Sequence, residues 1–438
     1  MNLKDSIVSS YIAFENELSG RTNTPVHKQR SAAFDVFEKK GFPTIKEEEW
    51  KYTNLIPVTR HDYAIMPRQE YDLKYSDVKP YLFHEMDTYR MVFLDGVFSA
   101  WLSNTSSDKF QMACLCDELD LNTEVIQNHF NKYAKTDESM TALNTAFAVE
   151  GALIRVPDNV VVEKPIEIVY LATDKGKDIM VQPRNLIVVG KNAQVRIIER
   201  HRSLGSNNVF NNSVTEVFAD VDAMVDLYKI QSDTEKSSLI DNTTIEQKQR
   251  ANVNVFTFSL GGKFVRNNLK FSLREEHSHA RLFGFTLLNE KEFADHHTLV
   301  DHMVPNCEST ELYRGIYDDH AHGVFNGKVK VYPDAQKTNA FQQNNNVLLT
   351  DYASIDTKPE LEIYADDVKC SHGCTVGQLD DEALFYLRSR GIPEREAIAM
   401  LLLAFKQDVV KEIKSETIRK RINRMIAEKL KVEIDMDI

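Results

Sequence analysis

No run of about 18 apolar residues occurs in this 438-residue chain, which argues against a transmembrane helix. The start, Met1-Asn2-Leu3-Lys4-Asp5, leads into no apolar block, so a secretory signal is not expected. Cysteine is scarce. Cys114, Cys116, Cys307, Cys370 and Cys374 do not read as a disulfide framework in so long a chain, and they point to a reducing, cytoplasmic compartment. Basic residues are in deficit, 53 against 66 acidic ones, for a net charge of −13. Such a balance is poorly suited to neutralising phosphates, and no basic stripe compensates, so nucleic acid is not an expected partner. Phosphate-cradling loops are missing too. Leu260-Gly261-Gly262-Lys263-Phe264 lacks both the first glycine and the hydroxyl residue of a nucleotide-binding loop. There is no G-x-G-x-x-G and no G-x-S-x-G. If the function uses ATP, another protein must hydrolyse it. Carboxylates are plentiful but fall into no spacing that would argue a glycosidase pair.

What is present suits a globular chain of two or three structural regions, with 42% hydrophobic and 27% charged residues. The N-terminal end reads as helical. Ile7, Tyr11, Phe14 and Leu18 share one helical face. A second helix is expected from Thr24-Pro25 to Gly41-Phe42-Pro43, with Val26, Ala33, Phe34 and Phe37 buried.

From about residue 150 the texture changes to short β-branched runs, among them Val160-Val161-Val162, Ile166–Tyr170 and Leu186–Val189. A weak repeat runs through this region. Ala193-Gln194-Val195-Arg196-Ile197 returns near Ala223, Ala251 and Ala280 and again near Ala353. A spacing of about 30 residues is a sign of stacked units, and each copy alternates with period 2, as a strand with one buried face does. Little between the copies looks helical, so βαβ crossovers fit poorly. A β-solenoid fits better, and an ordinary β-sandwich stays open as the alternative. Asn344-Asn345-Asn346 suits a coil corner, where asparagines can ladder.

The last 60 or so residues return to helix. Asp380 or Asp381 caps one bearing Leu384, Phe385 and Leu387, and Gly391 ends it. Pro393 opens a second with Ile398, Leu401, Leu402, Phe405, Val409 and Ile413, and Ser415 caps a third with Ile418, Ile422, Ile426 and Leu430. Arg419, Lys420, Arg421 and Arg424 form either a solvated face or a docking surface for an acidic partner.

The residues best suited to metal chemistry are in Lys369-Cys370-Ser371-His372-Gly373-Cys374, where Cys370, His372 and Cys374 would share one side of a strand. Thiolate and imidazole are ligands of iron–sulfur clusters, zinc and copper. Alternate strand positions lie roughly 6.6 Å apart, too far to surround one ion, so a closed site needs residues from elsewhere, even from another chain. The competing reading is a buried thiol and a core histidine. Cys114-x-Cys116 has no second pair and reads as packing. His296, His297, His302, His320 and His322, with Asp295, Asp301, Asp318 and Asp319, read as a solvated loop or a weak metal site.

Leu312–Ile316, Phe325–Lys328, Asp334–Thr338, Asn344–Asn346, Thr357–Gly373, Thr375–Leu379 and Leu384–Ile392 together resemble the SufB/SufD family of the SUF iron–sulfur assembly system. Glu49-Trp50-Lys51-Tyr52-Thr53 resembles it as well, and the Lys369–Gly373 run points to the SufD branch. Cys374 departs from that branch, which would have alanine there; the thiol is either a further ligand or a small buried residue. The resemblance implies a mainly β fold, a right-handed parallel β-helix core (149–375) between helical regions at 1–148 and 376–438. It implies a non-catalytic scaffold subunit that pairs with a SufB-like paralogue and docks a SufC-like ATPase through its C-terminal helices. It implies transient iron or a nascent cluster at the shared interface, with His372 and Cys370 as the metal-site residues. No cofactor is expected to be held tightly by the chain alone, which is expected to homodimerise when isolated. Two other readings stay open: a β-helix carbohydrate-active enzyme, and an interaction subunit with no metal role.

Overall fold

The computed structural model describes residues 2–17, 24–66, 73–173 and 176–432. It is mainly β, a parallel β-helix of about eight turns with helices at both ends of the chain. From Arg184–Val189 onward successive strands alternate between two sheets, each pairing in parallel with the strand two ahead of it. The first sheet runs from Gln111–Cys114 and Ala152–Val156 at one end to His322–Val331 and Ser354–Ile363 at the other. The second runs from Val97–Phe98 and Tyr89–Leu94 to Asn339–Leu348 and Lys369–Gly377.

Period-2 alternation makes the coils stack. Val195, Val225, Val253 and Ala280 stand in register, as do Ile197, Leu227, Val255 and Leu282, and all of them lie in the apolar core between the sheets. Each of the buried valine, isoleucine and leucine side chains contributes roughly 1.5–3 kcal/mol. The turns are periodic too. Asn192, Asp222, Arg250, His277, Asn306 and Lys337 all have positive φ, each two residues before a strand of the second sheet. Asparagine and aspartate tolerate that conformation best. Five of these turns donate an amide to the coil above, as from Asn192 to Val221 O (3.0 Å) and Asp222 to Gln249 O (2.9 Å).

Register corrects parts of the sequence reading. The unit that stacks on Ala251 begins at Ser278, so Ala280 sits two residues further along the same face, over Val253. Ala353 belongs to the other sheet, before Ser354–Ile363. Asn344–Asn346 lie mid-strand in Asn339–Leu348 rather than at a corner. The corner asparagine pair is Asn192 and Asn159, 3.1 Å apart. Of Val160–Val162, Val161 makes an isolated bridge to Gln194.

The N-terminal helices lie as their apolar spacing predicts. Leu3–Glu17 buries Leu3, Ile7 and Tyr11, with Phe14 partly buried; Leu18 lies outside the described residues. Thr24 caps Pro25–Lys40 by accepting from His27 N (3.1 Å), and Val26, Ala33, Phe34 and Phe37 are buried. Most of this apolar surface packs with Met180, Phe210, Ile240 and Phe264 on the outer face of the first sheet. Glu49–Thr53 clamps this region to the solenoid. Trp50 stacks on Arg266 (3.8 Å), which pairs with Asp295 (2.5 Å), and Thr53 donates to the same carboxylate.

At the other end Asp380 caps Asp381–Ser389 through Glu382 N (2.9 Å) and Ala383 N (3.1 Å). Phe385 is exposed rather than facing a core, and Ser415 precedes Glu416–Leu430 without a side-chain cap. Leu402, Val409, Ile413, Ile418 and Ile422 close over Phe256, Phe258, Phe283 and Phe285 on the outer face of the second sheet. Among the described residues no helix is long and apolar enough to cross a membrane.

Candidate functional site

Cys370, His372 and Cys374 continue inward-facing columns to the last coil. Cys370 stands over Ala340 and Ser309, His372 over Gln342 and Glu311, and Cys374 over Asn344 and Tyr313. Ala340, Gln342 and Asn344 are buried because a strand covers them, whereas among the described residues no further strand covers Lys369–Gly377. His372 and Cys374 are therefore exposed and Cys370 is half-buried. Burial pushes the Cys370 thiol above its ordinary value, against the opposing effect of a backbone hydrogen bond from Ala340. The Thr357 hydroxyl donates to Asn344 Oδ1 (2.9 Å) and lies 3.1 Å from Cys374 Sγ, so the thiol is left to donate to it. The three side chains form an open row of donors at the mouth of the solenoid. They are not among the donor sets that converge within 4.8 Å in the described residues.

Beneath this row the interior turns polar. The column that begins Ile197, Leu227, Val255 and Leu282 continues as Glu311, Gln342 and His372. Glu311 is 1% exposed and accepts from Thr298 Oγ1 (2.5 Å) and Gln342 Nε2 (2.7 Å). Burial outweighs both bonds and pushes its carboxyl up to about 7. Gln342 Oε1, directly under His372, has no hydrogen-bond partner among the described residues. Glu311 and Gln342 escaped the sequence reading because only register shows that they share a column with His372. Nearer the middle, Lys229 bridges Glu199 (3.2 Å) and Asp241 (2.7 Å) inside the solenoid. Burial raises Glu199, but Lys229 and His201 outweigh it and hold the carboxyl at about 2. This cluster holds coils together and lies several coils from the mouth.

The histidine-rich stretch is a solvated turn at Asp318–His320 but strand at His296, His297, His302 and His322, and among the described residues it gathers no metal-binding set. His296 and His302 are buried on the strand Phe293–His302. Burial lowers His296 to about 4, and it stays neutral between Thr286 Oγ1 (2.9 Å) and Asn267 Nδ2 (3.3 Å). His297 faces outward to Asp295 (3.1 Å), and His322 pairs with Asp356 (3.3 Å). Cys114 is buried and Cys116 partly so, and their sulfurs lie with a Glu150 oxygen within 4.8 Å of one another. The neighbouring Cys116, burial and the Glu150 carboxylate push the Cys114 thiol well above its usual value. Glu150 is distant in sequence and one carboxylate among many, so no spacing signalled it.

Two family models match the chain: the SufBD protein N-terminal region over residues 1–168, and the SUF system FeS cluster assembly SufBD core domain over residues 170–405. The chain is 31% identical to an iron–sulfur cluster assembly SufBD family protein of Synechocystis over 420 residues, 94% of this chain and 92% of that protein. It is 29% identical to the iron–sulfur cluster assembly protein SufD of Escherichia coli, over 90% of each chain. With SufD of Bacillus subtilis the identity is 28%, over 70% of this chain and 71% of that protein. A core-domain match over more than half the chain, on a fold of this architecture, makes the protein a member of the SufBD family of iron–sulfur cluster assembly proteins.

Proposed function

We propose that this chain is a scaffold subunit of a SUF-type complex and turns over no substrate of its own. Its open solenoid end pairs with a SufB-like paralogue, and the nascent cluster is built where the two chains meet. In this reading His372 supplies a neutral imidazole and Cys370 a neighbouring thiol. The paralogue completes the site, and iron and sulfide pass through as cargo. The observation that carries the reading is the row of donors on a last strand that no other strand of the described residues covers. An exposed strand edge pairs readily with another chain, and an incomplete ligand row needs donors from outside.

The ATP-driven step belongs to a SufC-like partner docked on the C-terminal helices. Phe385 (74% exposed), Tyr386 (56%) and Met400 (48%) form the apolar surface suited to it, since Leu402, Val409 and Ile418 are already used against the solenoid. Without its paralogue the same edge would pair two copies of this chain.

The test is the assembled complex carrying His372→Ala. Loss of a ligand weakens metal binding directly, whereas an incomplete site contributes little to folding of the free chain. Iron and sulfide content in the complex should fall several-fold, with the melting temperature of the isolated chain unchanged. Normal loading, or a large drop in melting temperature with normal loading, would remove His372 from the site.

A further inference from the structure

The strand Gln111–Cys114 runs antiparallel to Ala152–Val156, with Cys114 opposite Ala152. After Cys114 the chain turns straight into the helix Leu115–Leu121, and this turn folds Cys116 back so that its amide donates to Cys114 Sγ (3.4 Å). Across the pair Gly151 O accepts from Leu115 N (2.8 Å), and the Glu150 carbonyl accepts from Arg184 N (3.1 Å). Gly151 has φ +154°, and a Cβ there would lie 1.7 Å from Arg184 O, so glycine is required for this close approach. Glu150 is thereby held facing the thiols. Its Oε2 accepts from Cys114 Sγ (3.0 Å) and from Phe98 N (3.3 Å). Among the described residues no lysine or arginine forms an ion pair with Glu150. The Asp117 carboxylate, 3.7 Å from Cys116 Sγ, adds negative charge beside the set.

Two thiols and a carboxylate with no countercharge make a preformed half-shell for a cation. Tetrahedral coordination with bonds of about 2.0–2.3 Å puts ligand atoms about 3.5–3.8 Å apart. Donors already within 4.8 Å of one another reach that by small side-chain rotations. Thiolates select borderline and soft ions over magnesium or calcium. We propose that Cys114, Cys116 and Glu150 bind one thiophilic divalent cation of the zinc type, leaving the rest of its shell to water or an incoming ligand. This site is not the one at the solenoid mouth. Gln111–Cys114 and Ser354–Ile363 are the two ends of the first sheet, eight strand-to-strand steps apart, or roughly 40 Å. The inference stands whether or not His372 serves a nascent cluster.

The test uses the full chain with Cys370→Ser, His372→Ala and Cys374→Ser, so that donors at the far end contribute nothing. Anaerobic titration with Co²⁺ should give one equivalent bound, with a thiolate-to-metal charge-transfer absorption that Zn²⁺ displaces. Cys116→Ser and Glu150→Gln, with folding checked by circular dichroism, should each weaken Co²⁺ binding by about tenfold or more. Should either variant misfold, alkylation of the unsubstituted chain gives an independent readout, with Zn²⁺ expected to protect Cys116. Absence of the thiolate band, equal affinity in folded variants, or alkylation of Cys116 unaffected by Zn²⁺ would each overturn the proposal.

Discussion

At the scale of single residues, position in a column decides role. Leu282 and His372 occupy the same inward site of the coil, yet one is fully covered and the other stands at the mouth. Between them Glu311 is a carboxyl buried with no cationic partner among the described residues, and its pH dependence follows. Folded, it keeps its proton up to about pH 7, whereas its ordinary value is 4.5. Between those values the folded state carries the extra proton, so stability falls as pH rises through that window. A shift of this size corresponds to roughly 3 kcal/mol. Glu311→Gln keeps the shape without the charge; its oxygen accepts from Gln342 Nε2 and its amide nitrogen donates to Thr298 Oγ1, which reverses one of the two bonds. It should flatten the loss and be more stable than wild type at pH 8 by up to that amount, with little difference at pH 4. Urea unfolding at the two pH values is the check, and parallel pH profiles for the two proteins would show that Glu311 ionises at no cost.

At the scale of elements, amphipathic helices and alternating strands were legible in the sequence. Thr24 as a cap, the buried face of Pro25–Lys40 and the strands Ile166–Ala172 and Arg184–Val189 all follow from local pattern. Register was less legible. A slip of two residues keeps the same face, so Ala280 resembled Ala251 while stacking over Val253. Polar residues inside the solenoid looked like loop or corner residues, as His296 and Asn344 did, because composition does not reveal a partner from the next coil. The Glu49–Thr53 run was visible as a motif, but its contact with Arg266 and Asp295 lies more than 200 residues away. The C-terminal helices were recognised without the surface that they cover. Since Leu402, Val409 and Ile418 bury Phe256, Phe258, Phe283 and Phe285, truncation after Gly391 should not leave an intact solenoid. Burying such side chains is worth about 1.5–3 kcal/mol each. The truncated chain should bind a hydrophobic dye, aggregate and melt well below the full-length protein. A monomeric truncated chain with unchanged melting temperature would show that these helices contribute nothing to the core.

At the scale of the whole molecule, the two ends of the solenoid differ. The first end is closed by Val97–Phe98, Gln111–Cys114 and the turn that gathers Cys114, Cys116 and Glu150. The last end is open, and its two edges differ from each other. Ser354–Ile363 carries Pro359, Lys358, Glu360 and Glu362, features that discourage strand pairing. Lys369–Gly377 has no proline and presents an exposed Val376, so it is the edge open to pairing. The central claim is that this edge meets a paralogous chain with His372 in the seam. Hydrogen–deuterium exchange of the isolated chain, before and after a stoichiometric SufB-like partner is added, tests it most directly. The account predicts fast exchange for the outward amides of Lys369–Gly377 in the free chain and strong protection in the complex, with Gln194–Ser203 unchanged. Stable complex formation with no added protection of Lys369–Gly377 would contradict it.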